Sequence, residues 1–406
     1  MLNSSMRKIP VFILAGGAGE RLAPLTLAKP KPAIAFGGTH QILDFTLSNC
    51  VNSGLRNILV LTQYKRDYLH DYLRAGRLKL SQQFGWSNDD QLLPLPPASG
   101  KRYRGTADAV FQNLPLLESS SAEHVLITSG DHIYSMDYRP LLSFHATSGA
   151  EMTIASVRRP TSEAGSLGVL ETDHHTVTRF VEKPAPDSLF PAESVQASMG
   201  IYAFTRRCLM ELAERASSSE TDFGHDIVPA LIRRQKVAAY DFGNLPRNYW
   251  RDVGTLDSYF RANMDLLGPQ PEFDPDVDDC WPILSVNDSS SLKTGGSRIS
   301  RRALLAGPCI IRRSILSQGS CVEAGAHVEN SIILPGARVG RNAVLRNAIV
   351  AEGARIADRL EVGVNCTLDR ARYDVTPGGV VVVNAIADRY PRSLSHSALS
   401  QSASAA

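Results

Sequence analysis

Residues Phe12–Leu22 read Phe-Ile-Leu-Ala-Gly-Gly-Ala-Gly-Glu-Arg-Leu, an apolar run that leads straight into three glycines and an arginine. Without a Cβ, Gly16, Gly17 and Gly19 let backbone N–H groups approach an anion closely, and the planar fork of Arg21 can grip phosphate oxygens. That is the chemistry of a phosphate cradle, with a tight structural turn as the alternative for the glycines taken alone. It is not the Gly-x-x-x-x-Gly-Lys-Ser/Thr loop, and Leu22 stands where the dinucleotide fingerprint needs its third glycine. Nine residues after Arg21, Pro30 begins the triplet Pro30-Lys31-Pro32, in which two prolines stiffen the backbone around a cation beside the loop. Lys29, next to it, reads as a solvated charge.

Carboxylates supply the complementary chemistry. Asp131, in Ser129-Gly130-Asp131-His132, follows an apolar strand, and Asp252 lies in a second polar loop. For either alone a helix cap or turn role is the alternative. Glu182 and Lys183 place an acid beside a base at the end of a short strand, where two solvated charges would look the same locally. The histidines form no metal-spaced cluster, and no Ser/His/Asp or Cys/His arrangement supports covalent acyl chemistry.

The elements that must position these groups alternate short apolar runs with helical patterns. Strands are expected over Pro10–Ala15, Asn57–Gln63 and His124–Ser129 and a helix over Ile42–Leu55, the rhythm of a Rossmann-like α/β fold with a mostly parallel sheet. Ligands bind such sheets outside the carboxyl ends of the strands, so Gly16-Gly17 and Gly130-Asp131 are expected on one crevice. An amphipathic helix over Leu256–Leu267 closes this region, giving a catalytic domain over 1–270 and a Pro-containing acidic linker over 271–300. From Leu316 to Val362 the sequence repeats every 17 residues: Leu316, Ile333 and Val350 form one column, Val322, Val339 and Ile356 a second, Val328, Leu345 and Val362 a third, with Gly319, Gly336 and Gly353 in step. Three apolar positions per repeat with glycine at the corners describe coils of three short strands, a left-handed parallel β-helix over 301–390. The serine- and alanine-rich stretch 391–406 reads as a disordered tail.

The 406 residues balance 43 Lys and Arg against 41 Asp and Glu, so a net charge of +2 gives no reason to expect nucleic acid or a membrane surface as partner. The apolar stretch near the N-terminus is too short for a signal peptide or a span. Six scattered cysteines without a Cys-x-x-Cys pair read as reduced thiols in a cytoplasmic protein.

Gly16-Gly17-Ala18-Gly19-Glu20-Arg21-Leu22, with Pro24-Leu25-Thr26 and Pro30-Lys31-Pro32, resembles the signature of the sugar nucleotidyltransferases. Within that family, Phe36-Gly37-Gly38, Ser48-Asn49-Cys50, Tyr103 to Ala109, Asp222-Phe223-Gly224 and Tyr249 to Thr255 resemble the bacterial ADP-glucose pyrophosphorylases. The resemblance covers nearly the whole chain; Glu20 departs from the threonine or serine usual before the arginine. It implies transfer of the adenylyl group of ATP to α-D-glucose 1-phosphate, giving ADP-glucose and pyrophosphate for glycogen or another α-glucan. Another nucleoside triphosphate, or a catalytically silent regulatory subunit, is the alternative. It further implies Mg²⁺ on Asp131 and Asp252, and Arg21, Lys31 and Asp131 as the catalytic set. Gly16, Gly17, Gly19, Gln63, Tyr103 and Gly105 fall to the nucleotide, a core role being the alternative for Tyr103. Gly168, Glu182, Lys183 and Ser198 are also substrate-binding, Glu182 toward sugar hydroxyls and Lys183 toward the phosphate. A homotetramer with an anionic effector is implied as well, although Ala28 stands where an activator-binding lysine is often found. Arg298, Arg301, Arg302, Arg312 and Arg313 are an anion-binding cluster or a solvated basic face.

Overall fold

A computed structural model describes residues 6–98, 101–118, 120–185, 192–216, 219–244, 248–276, 281–285 and 291–384. The proposed tail 391–406 lies outside them. The chain divides into two compact units, Met1–Gly17 with Phe45–Trp250, and Ala18–Asp44 with Arg251–Ala406.

The first unit is built on a nine-stranded sheet. Its strands are β1 (Pro10–Leu14), β2 (Asn57–Leu61), β3 (Gln91–Leu95), β4 (His124–Ser129), β5 (Met152–Pro160), β6 (Gly168–Asp173), β7 (Thr176–Glu182), β8 (Ser194–Thr205) and β9 (Val237–Asp241). They lie in the order β3-β2-β1-β4-β8-β5-β9-β7-β6. From β3 to β4 every pairing is parallel, as the alternation of apolar runs and helices requires. Beyond β4 the sheet is mixed: β8 runs antiparallel to both β4 and β5, and β9 runs parallel to β5. The central strands β1 and β4 carry apolar runs because both faces are covered there, and Val11, Phe12, Ile13, Val125, Leu126 and Ile127 are fully buried, whereas edge strand β3 leaves Gln91 and Leu93 exposed. Helix Ile42–Asn52 lies within the core, and Asn49 explains part of its sequence. Its amide donates to the Tyr134 carbonyl (3.1 Å) and accepts from the Met136 N–H (3.1 Å), fixing the segment that follows β4.

The second unit contains the parallel β-helix. Its three sheets stack strands 17 residues apart, and the register reproduces the sequence columns: Leu316 on Ile333 on Val350, Val322 on Val339 on Ile356, Val328 on Leu345 on Val362. Gly319, Gly336 and Gly353 take φ near +67° to +69°, a left-handed corner that a side chain disfavours. The stacking begins earlier than those columns. Ser297–Ser300 pairs parallel with Ile315–Leu316, and Ser297, Ser314 and Ser331 form a buried ladder in which each hydroxyl accepts the N–H of residue 314, 331 or 348 in the next coil, at 3.1–3.2 Å. Serine therefore holds a corner where the apolar columns give no signal.

Candidate active site

Within the first unit, β1 and β4 are parallel neighbours with Leu14 opposite Ser129, so Gly16-Gly17 and Gly130-Asp131 leave the same carboxyl edge, as expected. The Gly130 N–H donates to the Leu14 carbonyl at 2.9 Å and ties the two loops together. Gly16 lies against Gln63, where a Cβ would stand 3.3 Å from the Gln63 Cβ, while a Cβ on Gly17 would meet nothing within 4 Å. Packing does not require glycine at 17; an open backbone does. Asp131 accepts a hydrogen bond from the Ser129 hydroxyl, with His132 Nε2 3.5 Å from its carboxylate and the His132 ring edge-on to Trp250.

Gln63 accepts the Tyr103 N–H at 2.5 Å. The Tyr103 ring belongs to the core, its hydroxyl donating to the Leu95 carbonyl (3.0 Å) and accepting from Asn113 (2.9 Å), and burial pushes its pKa up. The side chain is thus committed internally. Gly105 is demanded by packing, since a Cβ there would collide with the Thr221 carbonyl that caps Ala107 and Asp108. Thr106 donates to Asp222 (2.9 Å) and accepts the Phe223 N–H, joining two motifs far apart in sequence.

A second group lies at the end of β7. Glu182 is its last residue, and Lys183 turns away in a left-handed conformation (φ 48°) with its ammonium 3.1 Å from the Glu182 carboxylate. Two glycines make room for that carboxylate: a Cβ on Gly168 would stand 2.8 Å from Glu182 Oε2, and one on Gly224 2.6 Å from it. Ser198 precedes an irregularity in β8 and accepts the Gly200 N–H at 3.2 Å. Nearby Tyr202 is buried; burial first, then the Glu182 and Asp222 charges, raise its pKa against the lowering effect of a Ser198 hydrogen bond. An exposed ammonium beside a fixed carboxylate and a hydroxyl can bind a phosphorylated polyol.

The second unit holds the rest. Gly19 takes φ 66°, and a Cβ there would press to 2.9 Å on the Lys31 Cβ, so this glycine lets the loop lie on the lysine stem. Lys31 is buried in a short 3₁₀ turn, its Nζ 3.4 Å from Asp252 Oδ1. A Cβ on Gly254 would stand 3.0 Å from Arg21 Nη2 and 3.1 Å from Asp252 Oδ1. Arg21 and Asp252 therefore both border Gly254, with Lys31 on the Asp252 carboxylate, a setting suited to polyphosphate oxygens. Gly224 and Gly254 are not among the expected site residues; their only signal in the sequence is membership of the Asp222-Phe223-Gly224 and Tyr249–Thr255 motifs.

Two readings are corrected. Lys29 is buried and ion-paired with Glu352, not solvated, because the loop folds onto the β-helix. Arg298 is 1% exposed and pairs with Asp274 (2.9 Å) and Asp276, so it belongs to neither an anion site nor a solvated face. Arg301, Arg302, Arg312 and Arg313 are exposed.

Among the described residues no group of three or more His, Cys, Asp or Glu side chains forms a metal cage. Asp131 in the first unit and Asp252 in the second each offer a carboxylate of the kind that a hard cation takes as an oxygen ligand, with waters and substrate phosphates completing its shell.

The nucleotidyl transferase family matches residues 10–268, and the GlmU-like C-terminal hexapeptide family matches residues 285–383. The chain is 40% identical to glucose-1-phosphate adenylyltransferase 2 of Alkalilimnicola ehrlichii over 397 residues, covering 93% of each chain. It is 41% identical to glucose-1-phosphate adenylyltransferase 2 of Vibrio cholerae, over 93% of this chain and 98% of that one. The glucose-1-phosphate adenylyltransferase of Bradyrhizobium diazoefficiens is 38% identical over 93% of this chain and 95% of its own. With a transferase region and hexapeptide repeats matched in order and relatives aligned almost end to end, the chain belongs to the nucleotidyl transferase family, among the glucose-1-phosphate adenylyltransferases.

Proposed function

We propose that this chain transfers the adenylyl group of ATP to α-D-glucose 1-phosphate, releasing pyrophosphate and forming ADP-glucose for α-glucan synthesis. The observation that carries the reading is the alignment of 93% of the chain with relatives of that name, in a chain that carries the whole charged set, Arg21, Lys31, Asp131, Glu182, Lys183 and Asp252. A silent regulatory subunit need not keep that set.

A phosphate oxygen of glucose 1-phosphate attacks the α-phosphorus of ATP in line; the bond from the α-phosphorus to the bridging oxygen breaks, and its electron pair leaves with pyrophosphate. The attacking phosphate is already ionised near neutral pH, so no general base is required. Lys183 holds that phosphate and Glu182 the sugar hydroxyls, with Ser198 and Gly168 lining the same pocket. Arg21 takes the leaving pyrophosphate and Lys31 the transferring phosphoryl group, so positively charged groups meet the charge where it develops. The backbone of Gly16, Gly17 and Gly19 meets the nucleotide, with Gln63; Tyr103, its ring held in the core, and Gly105, packed on Thr221, act on it through the placing of their loop. Asp131 and Asp252 are the carboxylates that would hold a Mg²⁺, and that ion would supply further neutralisation of the triphosphate.

The same proposal takes 1–270 as the catalytic domain and 301–390 as the β-helix domain, a homotetramer in the cytoplasm, and regulation by an anionic metabolite. Among the described residues no helix is long and apolar enough to cross a membrane. The reaction run backwards tests the reading: ADP-glucose and pyrophosphate should give ATP, whereas UTP formed from UDP-glucose in preference would defeat it.

A further inference from the structure

The loop that carries Arg21 and Lys31 belongs to the same compact unit as the β-helix, although it follows β1 in sequence. Its contacts show how it is held. The Gln318 N–H donates to the Gly38 carbonyl (3.3 Å), Arg298 Nε donates to the Gly37 carbonyl (3.4 Å), and Asn263 accepts the Gly37 N–H (3.0 Å). Tyr259 donates to the Ala35 carbonyl. These anchors all lie C-terminal to Lys31. On its other side stands Lys29, a buried side chain ion-paired with Glu352, which sits at a corner of a later coil next to Gly353.

We infer that Glu352 is a positioning residue for the nucleotide-phosphate loop, acting through Lys29. Pro30 and Pro32 flank Lys31 and fix φ on both sides, so Lys29 and Lys31 are joined by a stiff link rather than a flexible one. Displacement of the Lys29 end is therefore passed to Lys31, whose ammonium faces Asp252 at 3.4 Å. The Glu352 carboxylate is 47% exposed, so its removal leaves no hole in the core, while the Lys29 ammonium is 9% exposed and loses a compensating charge. A part of the β-helix that touches no substrate in this assignment thus sets where a catalytic cation stands.

The inference rests on the assignment of Lys31 to ATP, and the test separates the two. In the full chain, Glu352→Gln should lower kcat/KM for ATP about tenfold through misplacement of the loop. The KM for glucose 1-phosphate should be nearly unchanged, even where the melting temperature falls because Lys29 loses that compensating charge, and Glu352→Asp should recover part of both losses. Lys29→Gln alone should behave similarly, and the double variant should lose little more than either single one. Amide hydrogen exchange over residues 27–36 reads the tether without substrate and should rise in Glu352→Gln. A loop that exchanges no faster, whatever the activity, overturns the positioning role; a looser loop with unchanged ATP kinetics keeps the tether and overturns the assignment of Lys31 to ATP. Additive losses in the double variant would also overturn the coupling.

Discussion

Lys31 Nζ stands 3.4 Å from Asp252 Oδ1, a pairing of residues 221 positions apart in the chain. Each group keeps the other in place: the carboxylate compensates a lysine that burial would otherwise penalise, and the lysine aims the carboxylate. Lys31→Ala is expected to lower kcat by about 10²-fold or more, because a pre-placed cation is lost. Asp252→Asn should lower kcat similarly and raise the Mg²⁺ concentration needed for half-maximal rate. Steady-state kinetics over a Mg²⁺ titration check both.

The Glu182 carboxylate sits in space left by two glycines. Gly224→Ala puts a methyl group where 2.6 Å separates it from Oε2, so the carboxylate must move. The KM for glucose 1-phosphate should rise about tenfold, with the KM for ATP little changed. Lys183→Ala should act on the same constant, and an unaltered KM for glucose 1-phosphate would defeat its assignment.

His145 accounts for a pH effect unrelated to catalysis. Burial lowers its pKa to about 4, the adjacent His124 pushes the same way, and the two rings meet edge to face at 5.0 Å. The unfolded chain binds a proton near pH 6.5 that the folded one refuses until about pH 4. Stability is thus fully present above pH 6.5 and falls as the pH drops toward 4, by up to about 3 kcal/mol. Thermal melts of wild type and His145→Gln over that range should show a shallower decline in the variant.

Arg298 is enclosed by Asp274 and Asp276 in the second unit, with Lys293 on Asp274 and His40 Nε2 3.3 Å from Asp276. Arg298→Ala leaves carboxylates without their main partner and should cost about 3–5 kcal/mol, visible as a lower melting temperature. Asp276 opposes burial with a His40 hydrogen bond and the Arg298 charge, and its pKa is lowered. Its contribution is therefore present above the ordinary carboxylate range and lost as acid takes the pH down through the folded value.

The β-helix was legible because a repeat of 17 residues must return the same side-chain type to the same stacked position, as Leu316, Ile333 and Val350 do. The placing of the glycine loop after β1 and of Gly130-Asp131 after β4 on one sheet edge was legible because parallel strands of alternating βα units end at the same side. Lys29 was misread because its partner, Glu352, is brought to it only by tertiary folding. Arg298 looked cationic for the same reason: the acids that enclose it lie in the stretch read as linker. Gly224 and Gly254 carry no charge or period; what they do is leave space, which a sequence does not display.

The most direct test of the central claim is pyrophosphate release by the purified protein with Mg²⁺ and glucose 1-phosphate, comparing ATP, UTP, dTTP and GTP. Release dominated by ATP and abolished by Asp131→Ala in a protein that still folds is the predicted result. Release dominated by another triphosphate, or none with any of the four, would contradict it.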